Sequence, residues 1–160
     1  MTILLRVVFC VALSSASLAA TPALAQSAST TAPLRVRLMQ GVATPTVDTN
    51  GYAMKPAVRD ELVQAFIKQV SGAGLAVSSD GVPTRIVLNA YKERSTEDRL
   101  ILGGMGGRDH MSVTVFVGET SFQLSHSGFA SMNNIDAVAM RIGTEAGDKV
   151  VRLAGQHEAK

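Results

Sequence analysis

Gly103, Gly104, Gly106 and Gly107 surround Met105, and Arg108, Asp109 and His110 follow directly. A glycine run of this density cradles phosphate when a lysine and a Ser or Thr come after its last glycine. Here the last glycine is followed by Arg108-Asp109-His110 and then by β-formers. A dinucleotide fingerprint needs G-x-G-x-x-G between a strand and a helix. Gly104-Met105-Gly106 supplies only its first half, and the pattern that follows is a strand. Neither nucleotide reading meets its own structural context. The residues favour a flexible or bulged connection between two strands, because glycine permits positive φ and close backbone contact. Leu100, Ile101, Leu102 and Met105 add apolar character to that connection. The stretch Leu100, Ile101, Leu102, Gly103, Gly104, Met105, Gly106, Gly107, Arg108 is therefore the candidate interaction loop, able to dock on a partner or a membrane surface.

Acid–base chemistry has few carriers. Asp109 and His110 are adjacent, and neighbours on a strand point to opposite faces, so they are poorly placed to act as one pair. A hairpin about Gly118-Glu119 sets His126 opposite Met111, beside His110. Two histidines near each other still lack the third ligand a zinc site requires, and His157 lies in the tail. Ser125 and Ser127 flank His126, but there is no nucleophile elbow of the G-x-S-x-G kind, and no acid is evidently placed to orient the imidazole. No metal or cofactor is expected. A small metal-dependent or hydrolytic enzyme using His110, His126 and Asp109 is the alternative reading.

These side chains must be held by a chain with a distinctive beginning. MTILLRVVFCVALSSASLAATPALAQ carries Arg6, then an apolar run from Val7 to Leu18, then Ala23-Leu24-Ala25. That is the layout of a signal peptide cleaved after residue 25. The apolar run is shorter than the ~20 residues of a spanning helix, and Thr21-Pro22 interrupts it. Cys10, the sole cysteine, lies inside the apolar run after Phe9, so it does not form a lipid-attachment site. The mature chain would then hold no disulfide and no thiolate metal site.

Removing the leader takes away Arg6 and leaves 14 basic against 13 acidic residues. The basic residues are scattered, which argues against a nucleic-acid binder. Tryptophan is absent and aromatics are few, which disfavours carbohydrate platforms and base stacking. The core must come from Val, Leu, Ile, Met and Ala.

Residues 26–33 read as a flexible leader. LRVRLMQ, from Leu34 to Gln40, alternates apolar and basic residues and predicts a half-buried strand. Residues 41–55 predict a long loop with turns at Pro45 and Asn50-Gly51. Pro56 opens a helix whose apolar stripe is Val58, Leu62, Phe66 and Val70, ended by Gly72 and Gly74. Leu75–Ser78 predicts a short strand. Arg85–Lys92 predicts the next, with Ile86, Leu88 and Ala90 on one face. Met111–Val117 alternates, Gly118-Glu119 suits a II′ turn, and Thr120–Ser127 returns with Phe122 and Leu124 inward. Asn133 or Asn134 caps a last helix with Ile135, Val138, Ile142, Ala146, Val150 and Leu153 as its stripe. Gly143 and Gly147 on that helix predict close approach to the sheet. The expected fold is an α+β two-layer sandwich, β-α-β-β-β-β-α, with a mixed or antiparallel sheet and two helices on one face. It occupies residues 34–155 as a single domain, with a polar tail at 156–160.

The block RIVLNAYKERSTEDRLILGGMGGRDHMSVTVFV, from Arg85 to Val117, resembles the core of a family of small exported bacterial proteins, many of them lipoproteins, catalogued as domain-of-unknown-function family forty-four ten. The resemblance spans about Leu34 to Leu153, and its specific part is the glycine loop with the strand after it. It implies a fold similar to the α/β domain of the curli-secretion lipoprotein and the amino-terminal domain of the Tol translocation protein. It brings no catalytic residues. This chain departs from the family in lacking the lipid-attachment cysteine and the Asp-x-x-x-Gly turn of the last hairpin.

The expectation is a noncatalytic exported envelope protein, periplasmic or alternatively secreted. It would bind an envelope protein or associate with itself, with no nucleic-acid partner and no evident lipid anchor. A carrier of a small apolar ligand between sheet and helices is a third, weaker reading. The expected contact surfaces are an exposed sheet edge and the loops 41–55 and 100–110.

Overall fold

The computed structural model describes residues 32–94, 108–128 and 134–156. The candidate loop from Leu100 to Gly107 lies outside the described residues, as do the leader and His157. Among the described residues, three helices and a four-stranded sheet form two layers, which is the α+β sandwich expected. Among the described residues no helix is long and apolar enough to cross a membrane.

The first element corrects the sequence reading. Leu34–Gln40 is a seven-residue helix, α1, and not a strand. Seven residues of period two also contain the i, i+4 spacing of a helix, so the pattern is ambiguous at this length. The structure resolves it through Val36, which a strand would bury beside Leu34 and Leu38. Leu38 is fully buried while Val36 is 45% exposed. Arg35 Nε donates to the Ala154 carbonyl, and Arg37 pairs with Glu119, so both basic residues tie α1 to distant segments.

The strand that enters the sheet ahead of the long helix is β1, Thr46–Asp48, inside the expected loop. It runs parallel to β2, Thr84–Lys92, through the crossover helix α2, Pro56–Gly72. The strand–helix–strand order thus holds with its first strand twelve residues later. After β1, Asn50 at φ 48 and Gly51 at φ 82 form the turn that Asn-Gly favours, closed by Tyr52 N donating to the Thr49 carbonyl. The expected strand at Leu75–Ser78 reduces to one bridge between Val77 and Val42. Gly81 allows that crossing: a Cβ there would lie 2.4 Å from the Val42 carbonyl carbon.

β2 pairs antiparallel with β3, His110–Val117, which pairs antiparallel with β4, Thr120–Ser127. The sheet order is β1-β2-β3-β4, a mixed sheet. Gly118 takes φ 55 in the β3–β4 turn, while Glu119 stays at negative φ, which is the II′ pattern. A bulge at Asn89 moves the pairing from Leu88–Val113 to Ala90–Ser112 and Tyr91–Met111. Ala90 therefore leaves the face of Ile86 and Leu88, and Tyr91 takes its place toward the core.

The final helix α3, Ile135–Leu153, is capped by Asn134, whose side-chain oxygen accepts from Ala137 N at 3.1 Å. Val58, Leu62, Phe66 and Val70 of α2, the inward residues of β2 and β3, and Ile135, Val138, Ile142, Ala146 and Val150 of α3 share one buried core. Gly143 and Gly147 bring α3 against α2 and not against the sheet. A Cβ on Gly143 would sit 2.2 Å from the Leu62 carbonyl oxygen and 2.9 Å from Ala65 Cβ.

Candidate functional site

The chemistry-bearing side chains lie along β3, β4 and the outward side of α3, and the register decides which of them meet. His110 pairs with Ser127 and Met111 with His126. Alternation then puts His110 on the open face and His126 on the helix face, so the two imidazoles are on opposite sides of the sheet. His110 Nδ1 stands 3.0 Å from Ser127 Oγ. His126 Nε2 stands 2.6 Å from Glu145 Oε2 of α3. Glu145 is the orienting acid that sequence reasoning missed. It is nineteen residues from His126, and only the packing of α3 on β4 brings it there. Ser125 and Ser127 face away from His126, because alternate residues of a strand do. An imidazole and an acid are in contact, and neither flanking serine shares their side.

Asp109 has a separate role. It is fully buried, and its Oδ1 accepts from Arg94 N at 2.7 Å. The Arg94 guanidinium Nε lies 3.9 Å from Oδ2, with both side chains nearly inaccessible. The Asp109 carbonyl also accepts from Gly128 N at 2.8 Å. Buried charges persist when paired and hydrogen-bonded. Asp109 therefore clamps together the residues that bound segment 95–107 and the start of segment 128. Arg108, beside it, is exposed. His110, His126 and Asp109 thus do not converge, and among the described residues no three of His, Cys, Asp and Glu stand together as a metal set.

A second polar cluster sits at the end of β2. Tyr91 donates to Glu93 Oε2 at 3.1 Å, and Lys55 Nζ lies 2.6 Å from Glu93 Oε1. Burial, followed by the negative charge of Glu93, pushes the Tyr91 phenol above its ordinary value. It remains protonated and donating throughout the neutral range.

Among the described residues, clefts open at two places beside the sheet. One, about 440 Å³, lies where Thr46, Pro83 and Thr84 meet Arg85, whose guanidinium stacks 4.9 Å over the Phe116 ring. The other, about 320 Å³, lies beside β4, with Phe122 and Leu153 as its floor and Lys149 and Arg152 at its rim. Lys149 Nζ stands 5.2 Å over the Phe122 ring and 3.9 Å from Glu145 Oε1.

The two edges of the sheet differ. β1 covers Arg85 to Val87 of β2 and stops. Beyond it, Asn50 Nδ2 donates to the Leu88 carbonyl at 3.2 Å and the Tyr52 hydroxyl to the Asn89 carbonyl at 2.7 Å. Side chains thus occupy the β2 carbonyls that β1 leaves uncovered, and β1 itself offers an edge of only three residues. β4 is an edge over all eight of its residues, and no described segment bonds to its outer side. Its sequence, TSFQLSHS, has no proline and no Lys, Arg, Asp or Glu. These are the devices that usually guard an exposed strand.

The same fold occurs in PelC of Paraburkholderia phytofirmans. A PelC dodecamer aligns at TM-score 0.51 with 12% identity, over 74% of this chain and 89% of that one. A single-site variant of that dodecamer aligns at TM-score 0.50 with 13% identity, over 74% and 88%. A minor lipoprotein from Acinetobacter baumannii, 12% identical over 69% of this chain and 92% of that one, aligns at TM-score 0.37, too loosely to carry an argument. At these identities the likeness to PelC shows the fold alone. No protein-family model matches the chain, and no curated protein does.

Proposed function

We propose that the chain is an exported, noncatalytic envelope protein that works as a protein-interaction module, with the β4 edge as its docking surface. The observation that carries this reading is the eight-residue ladder of β4, without guarding charges, opposite an edge strand of only three residues beyond which Asn50 and Tyr52 cap β2. An open ladder accepts an added strand through main-chain hydrogen bonds, while flanking pockets select side chains. The apolar cleft at Phe122 lies in the position of such a pocket. The leader pattern at residues 1–25 supports export to the periplasm. The PelC structures are dodecamers, and this fold therefore accommodates assembly of copies. The dispersal of His110, His126 and Asp109 favours interaction over catalysis.

Native mass spectrometry of the chain purified gently from the envelope tests the proposal. A multimer, or a complex with a second protein, carrying no added small mass is the expected result. Stoichiometric extra mass from a metal or a small molecule on a monomer would overturn it.

A further inference from the structure

The neighbourhood of β4 also indicates which partner its edge fits. We propose that β4 pairs antiparallel with β4 of a second copy, centred on Leu124, with Lys149 of each copy meeting Glu145 of the other. This rests on the reading of β4 as the docking edge and adds the partner and the register.

Self-pairing is restricted by the pleat. Thr120, Phe122, Leu124 and His126 share the helix side of β4, and Ser121, Gln123, Ser125 and Ser127 share the open side. An antiparallel partner must keep like sides together, so the register can move only in steps of two. With Leu124 opposite itself, Phe122 faces the partner's His126. Lys149 stands over Phe122, and Glu145 bonds His126. That register therefore brings Lys149 level with the partner's Glu145, and the two-fold axis repeats the pair. A shift of two residues one way sets Phe122 opposite the partner's Leu124, and the other way opposite the partner's Gly128. Both shifts break the charge match twice. On the open side, Gln123 meets the partner's Ser125, and no charged residue of β4 opposes another.

The partner also covers what the monomer exposes. The cleft floored by Phe122 and Leu153 flanks β4 on the helix side. Antiparallel pairing about a two-fold axis puts both helical layers on one side and closes this cleft from across the axis. An isologous dimer of this kind uses one surface twice and pairs both β4 edges. Head-to-tail strand addition is disfavoured, because β1 at the far edge offers only three residues and Asn50 and Tyr52 occupy the β2 carbonyls beyond it.

Engineered cysteines read the register directly. Residues opposed in an antiparallel pair have Cα atoms about 4.5–5.5 Å apart, within the span of a disulfide. In a full chain whose single native thiol is removed by Cys10→Ser, the double variant Gln123→Cys with Ser125→Cys should oxidise to a covalent dimer. Either cysteine alone should not. Ser125→Lys, a charge placed on the exposed face of the edge, should give a folded monomer by circular dichroism and mass. Glu145→Lys should weaken the dimer, and adding Lys149→Glu should restore it. A multimer that ignores Ser125→Lys and does not cross-link would overturn the pairing and leave self-association through another surface. A strict monomer whose envelope complex is abolished by Ser125→Lys would overturn the pairing and keep β4 as a docking edge. A monomer with no complex of any kind would remove both readings.

Discussion

At Gly143 α3 lies directly against the backbone of α2. A methyl group there would meet the Leu62 carbonyl oxygen at 2.2 Å, a backbone atom that cannot swing aside. Gly143→Ala gains helix propensity of up to about 1 kcal/mol but must separate the two helices. Overpacking of this kind costs roughly 1–3 kcal/mol. The expected outcome is net destabilisation, read as a lower urea midpoint at unchanged slope. Gly147→Ala should be milder, since its nearest obstacle is the Gln69 side chain at 2.7 Å. Tyr91 makes a pH-dependent contribution. Burial and the Glu93 charge raise its folded pKa above the ordinary value near 10. The folded state then holds the proton more tightly than the unfolded chain. The stabilisation is complete below about pH 10 and is lost as pH rises above it. Urea titrations of wild type and Tyr91→Phe on both sides of that pH check this. At neutral pH the variant should be less stable by about 1 kcal/mol, having lost the bond to Glu93. Above pH 10 the wild type should lose stability more steeply, and the gap should narrow.

The elements show what local pattern can and cannot specify. α2, β3, β4 and α3 were legible because each carries a long periodic stripe, and the stripe residues Val58, Leu62, Phe66, Met111, Val113, Ile142 and Val150 are all buried as their spacing requires. α1 was not legible as a helix, because seven alternating residues fit both periods and only tertiary contact decides between them. Its Arg37 reaches Glu119 at the β3–β4 turn, a partner eighty-two residues away. Glu119 is held below the usual carboxylate range by its own backbone N–H and by Arg37. β1 is not legible because three residues, TVD, carry no periodicity, and its strand state depends on β2. The bulge at Asn89 reverses the facing of Ala90 and Tyr91, and nothing local in RIVLNAYK marks it. The site was partly readable. His110 and His126 were correctly placed on neighbouring strands, but their opposite faces follow from the register and the Glu145 contact follows from helix packing. The contrast between a three-residue β1 edge and an eight-residue β4 edge depends on strand order, which a linear pattern does not contain.

For the molecule as a whole, one core joins both layers. α2 and α3 pack on each other and enclose Ile86, Leu88, Met111, Val113 and Val115 against the sheet. The chain has a single cysteine, Cys10, so no disulfide within it can support one part separately. Small domains with one contiguous core unfold in a single transition. Two probes report on different layers: helical circular dichroism follows α2 and α3, and tyrosine fluorescence follows Tyr91 at the end of β2 and Tyr52 beyond β1. There is no tryptophan to obscure the tyrosine signal. The two curves should coincide in urea, and reductant should leave them unchanged. Ile142→Ala, at a fully buried position between the layers, should move both midpoints together by the equivalent of about 2–5 kcal/mol. Helical signal lost ahead of the tyrosine signal would show that the helices detach from a sheet that persists alone. The stability of this chain would then reside in strand pairing, and not in the interlayer core.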